Sequence, residues 1–171
     1  MKICFRSLVL VAVALTGCGY RVAGTANLLP KNIHSIAVTP FGNATTQYRL
    51  STFLSEAVSR ELIARTGYTV VADASKADAT LSGGIANMFT TATVADPVTG
   101  RGTGAQIIVV MQVRLIAKDG KVLFNRPNLE FRDRYETGVD PKQYLDESQS
   151  ALGRLSKDVA RTVVSAILES F

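Results

Sequence analysis

The feature that most restricts this chain is the short apolar segment at its start, which ends in a cysteine. Lys2 and Arg6 precede the wholly apolar stretch Leu8–Leu15, an order that is typical of an export signal. The run of 8 residues is well short of the roughly 20 that a transmembrane helix needs, so we expect cleavage rather than a permanent span. Leu15-Thr16-Gly17-Cys18 resembles the lipobox of bacterial lipoproteins. We therefore predict that Cys18 is the lipid-bearing first residue of the mature chain.

This cleavage limits how the mature chain can be stabilised. Cys4 leaves with the signal and Cys18 carries lipid, so no thiol remains for a disulfide or a thiolate metal site. The 154 residues from Cys18 onward suffice for one domain that is stabilised by its core alone. We divide the chain into a signal peptide at 1–17, a lipidated tether at 18–32 and a single domain at 33–171.

The mature chain is only mildly basic. Loss of Lys2 and Arg6 lowers the formal charge from +5 to +3. The remaining cations are scattered, and no run of lysine and arginine is interleaved with aromatic residues. We therefore predict no nucleic-acid partner. A weak attraction to anionic lipid or phosphate is compatible with this composition.

Hydrophobic patterns in the first half predict a strand, a helix and a second strand. Apolar residues at three- and four-residue spacing mark the helix, and Gly67 follows it where a left-handed C-terminal cap favours glycine. The predicted elements are a strand at Ile33–Phe41, a turn at Gly42-Asn43, a helix capped by Thr45 or Thr46 that ends near Thr66, and a strand at Tyr68–Val71. The predicted buried face of the helix consists of Leu50, Phe53, Leu54, Ala57, Val58 and Leu62.

The second half predicts three strand segments joined as hairpins, followed by one long helix. Alternation predicts a strand at Ala79–Val94, a loop at Ala95–Gly104, a strand through Ile107–Leu115, the hairpin turn Asp119-Gly120 and a last strand that reaches Tyr135. Pro127 interrupts the alternation of the last strand, which indicates a bulge or break there.

The final helix has the clearest signals. Asp140 can be its N-cap, Pro141 suits the first helical position and Gln143 can close a capping box. We expect nearly 30 residues of helix, with an apolar stripe formed by Leu145, Leu152, Leu155, Val159, Val163, Ala166 and Ile167. The predicted fold class is α+β, a mostly antiparallel sheet of about four or five strands with two helices packed on one face.

The sequence offers little chemistry. His34 is the only histidine and lies in an apolar segment, so we interpret it as a packed or hydrogen-bonded structural residue. Gly100–Gly104 has the glycines of a phosphate loop, yet it precedes a strand and lacks the Lys-Ser/Thr ending, so we interpret it as a hairpin tip. The charges of Glu130, Arg132, Arg134 and Glu136 suit a solvated strand face better than a ligand strip. We predict no enzyme activity, no cofactor and no metal.

The residues as a set resemble the lipopolysaccharide-assembly lipoprotein family LptE. The resemblance covers essentially the whole mature chain, and its specificity comes from the combination of its segments. These segments are Cys18-Gly19-Tyr20, Leu29-Pro30, Ile36–Asn43, Arg60-Glu61-Leu62, Tyr68–Val71, Ala77–Gly83 and the long C-terminal helix.

The resemblance implies a protein that is anchored in the outer membrane, sits inside the large β-barrel LptD and acts as its plug and assembly partner. It also implies assistance to lipopolysaccharide delivery to the cell surface, with lipopolysaccharide as a ligand. The alternative is a lipoprotein of the curli-secretion or pore-associated type, which shares the strand-Pro-Phe-x-Asn pattern. An envelope hydrolase lacks an assembled nucleophile and base.

Three cations are the candidate ligand-binding residues if the ligand carries phosphate. Arg101 lies at the long hairpin tip, and Lys118 and Lys121 flank the Asp119-Gly120 turn. Loop cations reach a phosphate without desolvating a sheet face. The alternative is that all three are ordinary solvated residues. One long strand separates Arg101 from the two lysines, so we expect only one end of the hairpin to bind phosphate.

Overall fold

The computed structural model describes residues 29–95, 100, 102–136 and 141–171, and it is an α+β domain. The strands are β1 (Ser35–Val38), β2 (Gly42–Asn43), β3 (Thr69–Val71), β4 (Ala79–Ala95), β5 (Gly102–Ala117) and β6 (Val122–Glu136). The helices are α1 (Tyr48–Arg65) and α2 (Pro141–Glu169), and a 3₁₀ turn spans Ala74–Lys76. Within the described residues, neither helix is both long enough and apolar enough to cross a membrane.

The strands form one mixed sheet in the order β3-β1-β4-β5-β6, with β2 beside β4. The two long hairpins β4–β5 and β5–β6 are antiparallel and supply most of the paired residues. The pairs β1–β3, β1–β4 and β2–β4 are parallel and short. The predicted fold class is therefore confirmed, except that β1, β2 and β3 join the sheet in parallel.

Both helices pack on the same face of the sheet, as predicted. The buried residues of α1 are Leu50, Leu54, Ala57, Val58 and Leu62. The stripe of α2 is buried from Leu152 to Ile167, with Ala166 half-buried. Leu145 is an exception, because its side chain is 56% exposed. Leu145 lies in the second turn of α2, before the buried stretch that begins at Ala151.

The hairpins are longer than the sequence predicted. β4 continues to Ala95 and β5 starts at Gly102, within the stretch predicted to be a loop. Thr103 and Gly104 therefore belong to the sheet. The predicted bulge at Pro127 is confirmed, because Met111 pairs with Leu129 while Val113 pairs with Arg126. Gly120, with a φ of 86°, makes the predicted Asp119-Gly120 turn.

Two predicted features of the first half are wrong. Gly42-Asn43 is a short strand that pairs with Gly84 and Ile85, not a free turn. The residue before α1 is Gln47, which makes no side-chain cap. Asn43 stabilises the segment that leads into α1 instead. Its Oδ1 accepts from the backbone N–H and the hydroxyl of Thr45, and its Nδ2 donates to the Gln47 carbonyl.

The end of α1 also differs from the prediction. Gly67 does not adopt a positive φ. Thr66 ends the helix in an extended conformation, and both its N–H and its hydroxyl donate to the Leu62 carbonyl. The side chain of Thr66 thus satisfies a carbonyl that a left-handed glycine cap would otherwise satisfy through backbone groups. The Asp140 cap of α2 lies outside the described residues.

The short strands are fixed to the long ones by side chains. The ring of Phe41 lies against Gly83, where a side chain would collide with it. The buried Tyr68 hydroxyl accepts from the Leu29 N–H at 2.9 Å, and burial raises the pKa of this phenol. Leu29 is buried in the core, so packing begins four residues before the predicted domain start.

Candidate functional site

The most extensive surface available for an interaction is the side of the sheet that faces away from α1 and α2. We call it the open face. Side chains alternate along each strand, and no described helix covers those that point to this side. The open face consists of Thr80, Ser82, Asn87, Phe89 and Thr91 of β4, Gln106, Ile108, Val110, Gln112, Arg114 and Ile116 of β5, and Val122, Asn125, Glu130, Arg132 and Arg134 of β6.

The middle of the open face is apolar. Phe89 is 43% exposed and pairs with Ile108, and Val110 lies two residues further along β5. Ile108 itself is only 8% exposed. An exposed phenylalanine beside buried aliphatic residues is typical of a surface that contacts another molecule.

Next to this apolar patch lies a polar depression of 220 Å³. Ser82, Gln112, Arg114 and Asn125 supply its side chains, and the absence of a side chain at Gly84 leaves room for Gln112. Arg114 is exposed and forms no ion pair within the described part of the chain. The depression can therefore accept a hydrogen-bonding or anionic group.

A larger cleft of 570 Å³ lies at the far end of the sheet, between the ends of β4, β5 and β6 and the start of α2. Arg154 of α2 forms its floor, donating from Nε to Asp133 and from Nη2 to the Arg134 carbonyl, each at 3.2 Å. The other lining residues are Thr93, Gly104, Arg134, Tyr135, Glu136 and Glu147. Two arginines and two glutamates line this cleft, so it carries charges of both signs rather than positive charge alone.

Two of the four residues of the charged strip at the end of β6, Glu130 and Arg132, form an ion pair with each other. Arg154 of α2 forms an ion pair with Asp133. The guanidinium of Arg134 has no ion-pair partner among the described residues. The interpretation of this strip as a solvated face with ion pairs is consistent with these contacts, but Arg134 also lines the cleft.

Lys118 and Lys121 lie at the opposite end of the sheet. Both are exposed beside the β5–β6 turn, and Lys118 donates its backbone N–H to the Asp78 carbonyl. Lys118 borders a depression of 370 Å³ that is also lined by Asn32, Asp78 and Asp119. Arg101 and Cys18 lie outside the described residues. The 16 residues of β5 span about 50 Å, so the two ends of the hairpin cannot form one small site.

The carboxylate of Asp78 binds the backbone at His34 and Ser35. The backbone N–H groups of His34 and Ser35 and the Ser35 hydroxyl all donate to Oδ2 of Asp78, each at 2.9 Å. These hydrogen bonds hold the pKa of the Asp78 carboxyl below its ordinary value, and the bond from the His34 N–H has the largest effect. His34 is exposed, so its ring is not packed in the core, but the interpretation as a hydrogen-bonded structural residue holds for its backbone, whose N–H binds Asp78 and whose carbonyl accepts from the Thr69 N–H. Its ring lies at the surface because the strand begins one residue later.

The open face and the cleft present hydrogen-bonding, charged and apolar groups to solvent. Among the described residues, no group of three or more histidine, cysteine, aspartate or glutamate side chains is placed to hold a metal ion. The sequence did not single out Arg154 or Gln112. Only a weak sequence signal marks Arg154, a charged residue directly before Leu155 of the apolar stripe. Its pairing with β6 depends on tertiary structure.

The comparisons with known proteins agree with this fold. A family model described as LptE, lipopolysaccharide-assembly, matches residues 33–167. No match was found among curated protein sequences. Lipoprotein B from Nitrosomonas europaea is similar in structure, with a TM-score of 0.55, 16% identity, and 88% of this chain and 96% of that chain covered.

A second solved structure, the rare lipoprotein B from Shewanella oneidensis, has a TM-score of 0.52 and 13% identity, with 78% of this chain and 95% of that chain covered. At these identities the two structures support the fold alone. The family model spans nearly all of the described domain, from the first strand to the last turns of α2. The chain belongs to the LptE family of lipopolysaccharide-assembly proteins.

Proposed function

We propose that this chain is an outer-membrane lipoprotein subunit of the lipopolysaccharide translocon. In this proposal it acts without enzymatic activity as plug and assembly partner of an LptD-like β-barrel and assists lipopolysaccharide delivery to the cell surface. The observation that carries the proposal is the family match, which extends over the whole described domain rather than over one motif. The lipid on Cys18 provides the membrane attachment.

The open face supports a role as a plug. Barrel interiors are lined mainly by polar side chains. The open face presents Gln112, Arg114 and Asn125 beside Phe89, a mixture that can hydrogen-bond to such a wall and also bury apolar area. No chain rearrangement is needed to expose it.

For lipopolysaccharide, the Arg101 end of the β4–β5 hairpin is the better candidate. The guanidinium of Arg134 is free of ion pairs among the described residues at this end, and Arg154 lies beside it. Glu136 and Glu147 at this end are matched by the two arginines, whereas at the other end Lys118 alone among the described cations lines a depression with Asp78 and Asp119, whose two carboxylates repel phosphate. We therefore expect Arg101 to contribute to binding more than the two lysines.

The barrel partnership is tested by affinity purification of the full-length, lipidated chain from detergent-solubilised outer membranes, followed by mass spectrometry. We expect one large β-barrel protein to co-purify in about equal amount. An unrelated outer-membrane lipoprotein that carries the same tag is the control. Recovery of the chain without any barrel, or with the same proteins as the control, would contradict the proposal.

Ligand contact is tested separately with the purified complex and lipopolysaccharide at two salt concentrations. Arg101→Glu should weaken binding by about tenfold, while Lys118→Glu combined with Lys121→Glu should change it by less than about twofold. The loss in Arg101→Glu should shrink as salt screens the wild-type attraction. Equal affinity in all three proteins would remove these cations from the binding site.

A further inference from the structure

The outer half of β4 is a free sheet edge. From Ala79 to Ile85, β4 lies between β5 on one side and β1 and β2 on the other. From Ala86 onward, β5 is its only partner within the described residues. Residues 86–93 are exposed apart from the half-buried Met88. Thr90 and Ala92, which point to the helix side, are exposed as well, so the described helix side chains do not cover them.

Between its two register shifts, at Ile85/Asn87 and at Ala92/Val94, this edge lacks the charges and the proline that protect the opposite edge. Natural proteins block free strands with charges, proline or bulges, because an unprotected edge pairs with another strand. The β6 edge contains Pro127 within a bulge and five charged residues between Arg126 and Arg134. The β4 edge from Ala86 to Val94 contains neither charge nor proline, and three of its residues are threonine. Its composition favours strand addition.

Strand pairing identifies the backbone groups that point outward. The Thr39 N–H donates to the Leu81 carbonyl and the Ala44 N–H to the Ile85 carbonyl, so the odd-numbered residues of this part of β4 face away from β5. The register shift between Ile85 and Asn87 inserts one residue and reverses this order. Beyond the shift, Met88, Thr90 and Ala92 therefore direct their N–H and C=O groups away from β5.

We propose that this edge, residues 86–93, binds an extended segment of the partner barrel protein as an added β-strand. This inference rests on the proposed function. An edge of eight residues extends for about 26 Å and offers main-chain hydrogen bonds at every second residue. Because the edge is uncharged, the segment that pairs with it is expected to be uncharged as well.

A second copy of the chain fits this edge less well. Two β4 edges that pair antiparallel about Phe89 and Thr90 place the two starts of β4 roughly 65 Å apart, at opposite ends of the pair. The tether joins the domain beside the start of β4, where Asn32 and Asp78 line one depression. The lipid anchors would then leave from opposite ends of the pair. A strand from a different protein meets no such constraint.

The test uses the full-length lipidated chain with Thr90 replaced. Thr90→Pro removes an outward N–H without breaking a hydrogen bond to β5, as tolerated on edge strands. Thr90→Val keeps that N–H and the side-chain shape and is the matched control. We expect Thr90→Pro to reduce the co-purified barrel by about tenfold and Thr90→Val to leave it unchanged. Thermal melting of both purified variants should stay close to that of the wild type.

A second readout does not depend on a proline. A photoreactive amino acid at Thr91 should crosslink to the barrel in cells, whereas the same group at Asn128 on the β6 edge should give far less of that product. Normal barrel recovery with Thr90→Pro, together with no crosslink from Thr91, would overturn the inference and leave the proposed function intact. A crosslinked dimer of this chain in place of the barrel product would assign the edge to a second copy and also overturn it. Failure of the wild type to recover a barrel would reject the proposed function itself.

Discussion

Gly83 of β4 lies against the ring of Phe41. This contact connects two of the segments that carry the family resemblance, Ile36–Asn43 and Ala77–Gly83. Phe41 is held from the helix as well, because its N–H donates to the Ser55 hydroxyl and its carbonyl accepts from the Ser51 hydroxyl. The ring is buried and cannot move away easily. The two segments thus pack against each other through Phe41 and Gly83.

Gly83→Ala should therefore destabilise the domain by about 1–3 kcal/mol, since a Cβ there overlaps the Phe41 ring. Gly84→Ala is the matched control. Its Cβ meets only the Gln112 side chain, at 3.5 Å from Nε2 and 3.8 Å from Cγ, which is ordinary contact on the open face, and should change stability by less than about 0.5 kcal/mol. Urea unfolding of the two variants compares them directly. Equal midpoints would mean that Phe41 does not occupy this position in solution.

Asp78 makes the stability of the domain depend on pH. Its pKa lies below the ordinary value of 3.8 because the His34 N–H, the Ser35 hydroxyl and the Ser35 N–H bind the carboxylate. The unfolded chain takes up the proton more readily, so this stabilisation is complete above about pH 5 and is lost as the pH falls through the lower, folded pKa. Asp78→Asn should reduce stability at neutral pH and flatten the decrease toward pH 3. Denaturant melts of both proteins across this range provide the measurement, and parallel curves would contradict it.

At the scale of the elements, periodicity predicted the long pieces well and the short ones poorly. The helix α2, the two hairpins and the Pro127 bulge follow from local patterns, and all were confirmed. β2 was missed because two residues carry no periodicity, and its pairing with Gly84 is a long-range contact. The cap at Gly67 failed because Thr66 satisfies the same carbonyl with its side chain.

Helix α2 offers a direct test of the helical phase. Leu155→Asp places a charge at a position that is 1% exposed. The cost is about 3–5 kcal/mol, against a total stability of roughly 5–15 kcal/mol, so the domain should melt far earlier or not fold. Lys157→Asp, two residues away on the exposed side, should be nearly silent. Similar melting temperatures for the two variants would show that the stripe is misassigned.

The candidate site is a property of the whole molecule and was harder to predict than the fold. Lys118 and Lys121 were correctly placed at one hairpin end, because the Asp119-Gly120 turn is a local signal. The cleft with Arg154 and the open face with Arg114 were missed, since each combines residues from separate elements. A sequence pattern indicates which side chains of one strand share a face. The order of strands in the sheet decides which side chains of different strands meet.

In the proposed function, attachment to the membrane decides where the whole molecule works, and it depends on Cys18, which lies outside the described part. Cys18 is the only cysteine in the mature chain, so Cys18→Ala should abolish acylation and leave an uncleaved or mislocalised precursor. Two or three acyl chains hold a protein essentially permanently, at about 0.8 kcal/mol per buried methylene. Labelling with a fatty-acid analogue tests this directly, and label retained in the variant would reject the lipoprotein assignment. Gly19 offers no acidic retention signal, so the wild type should fractionate with the outer membrane, and recovery only from the inner membrane would contradict that destination.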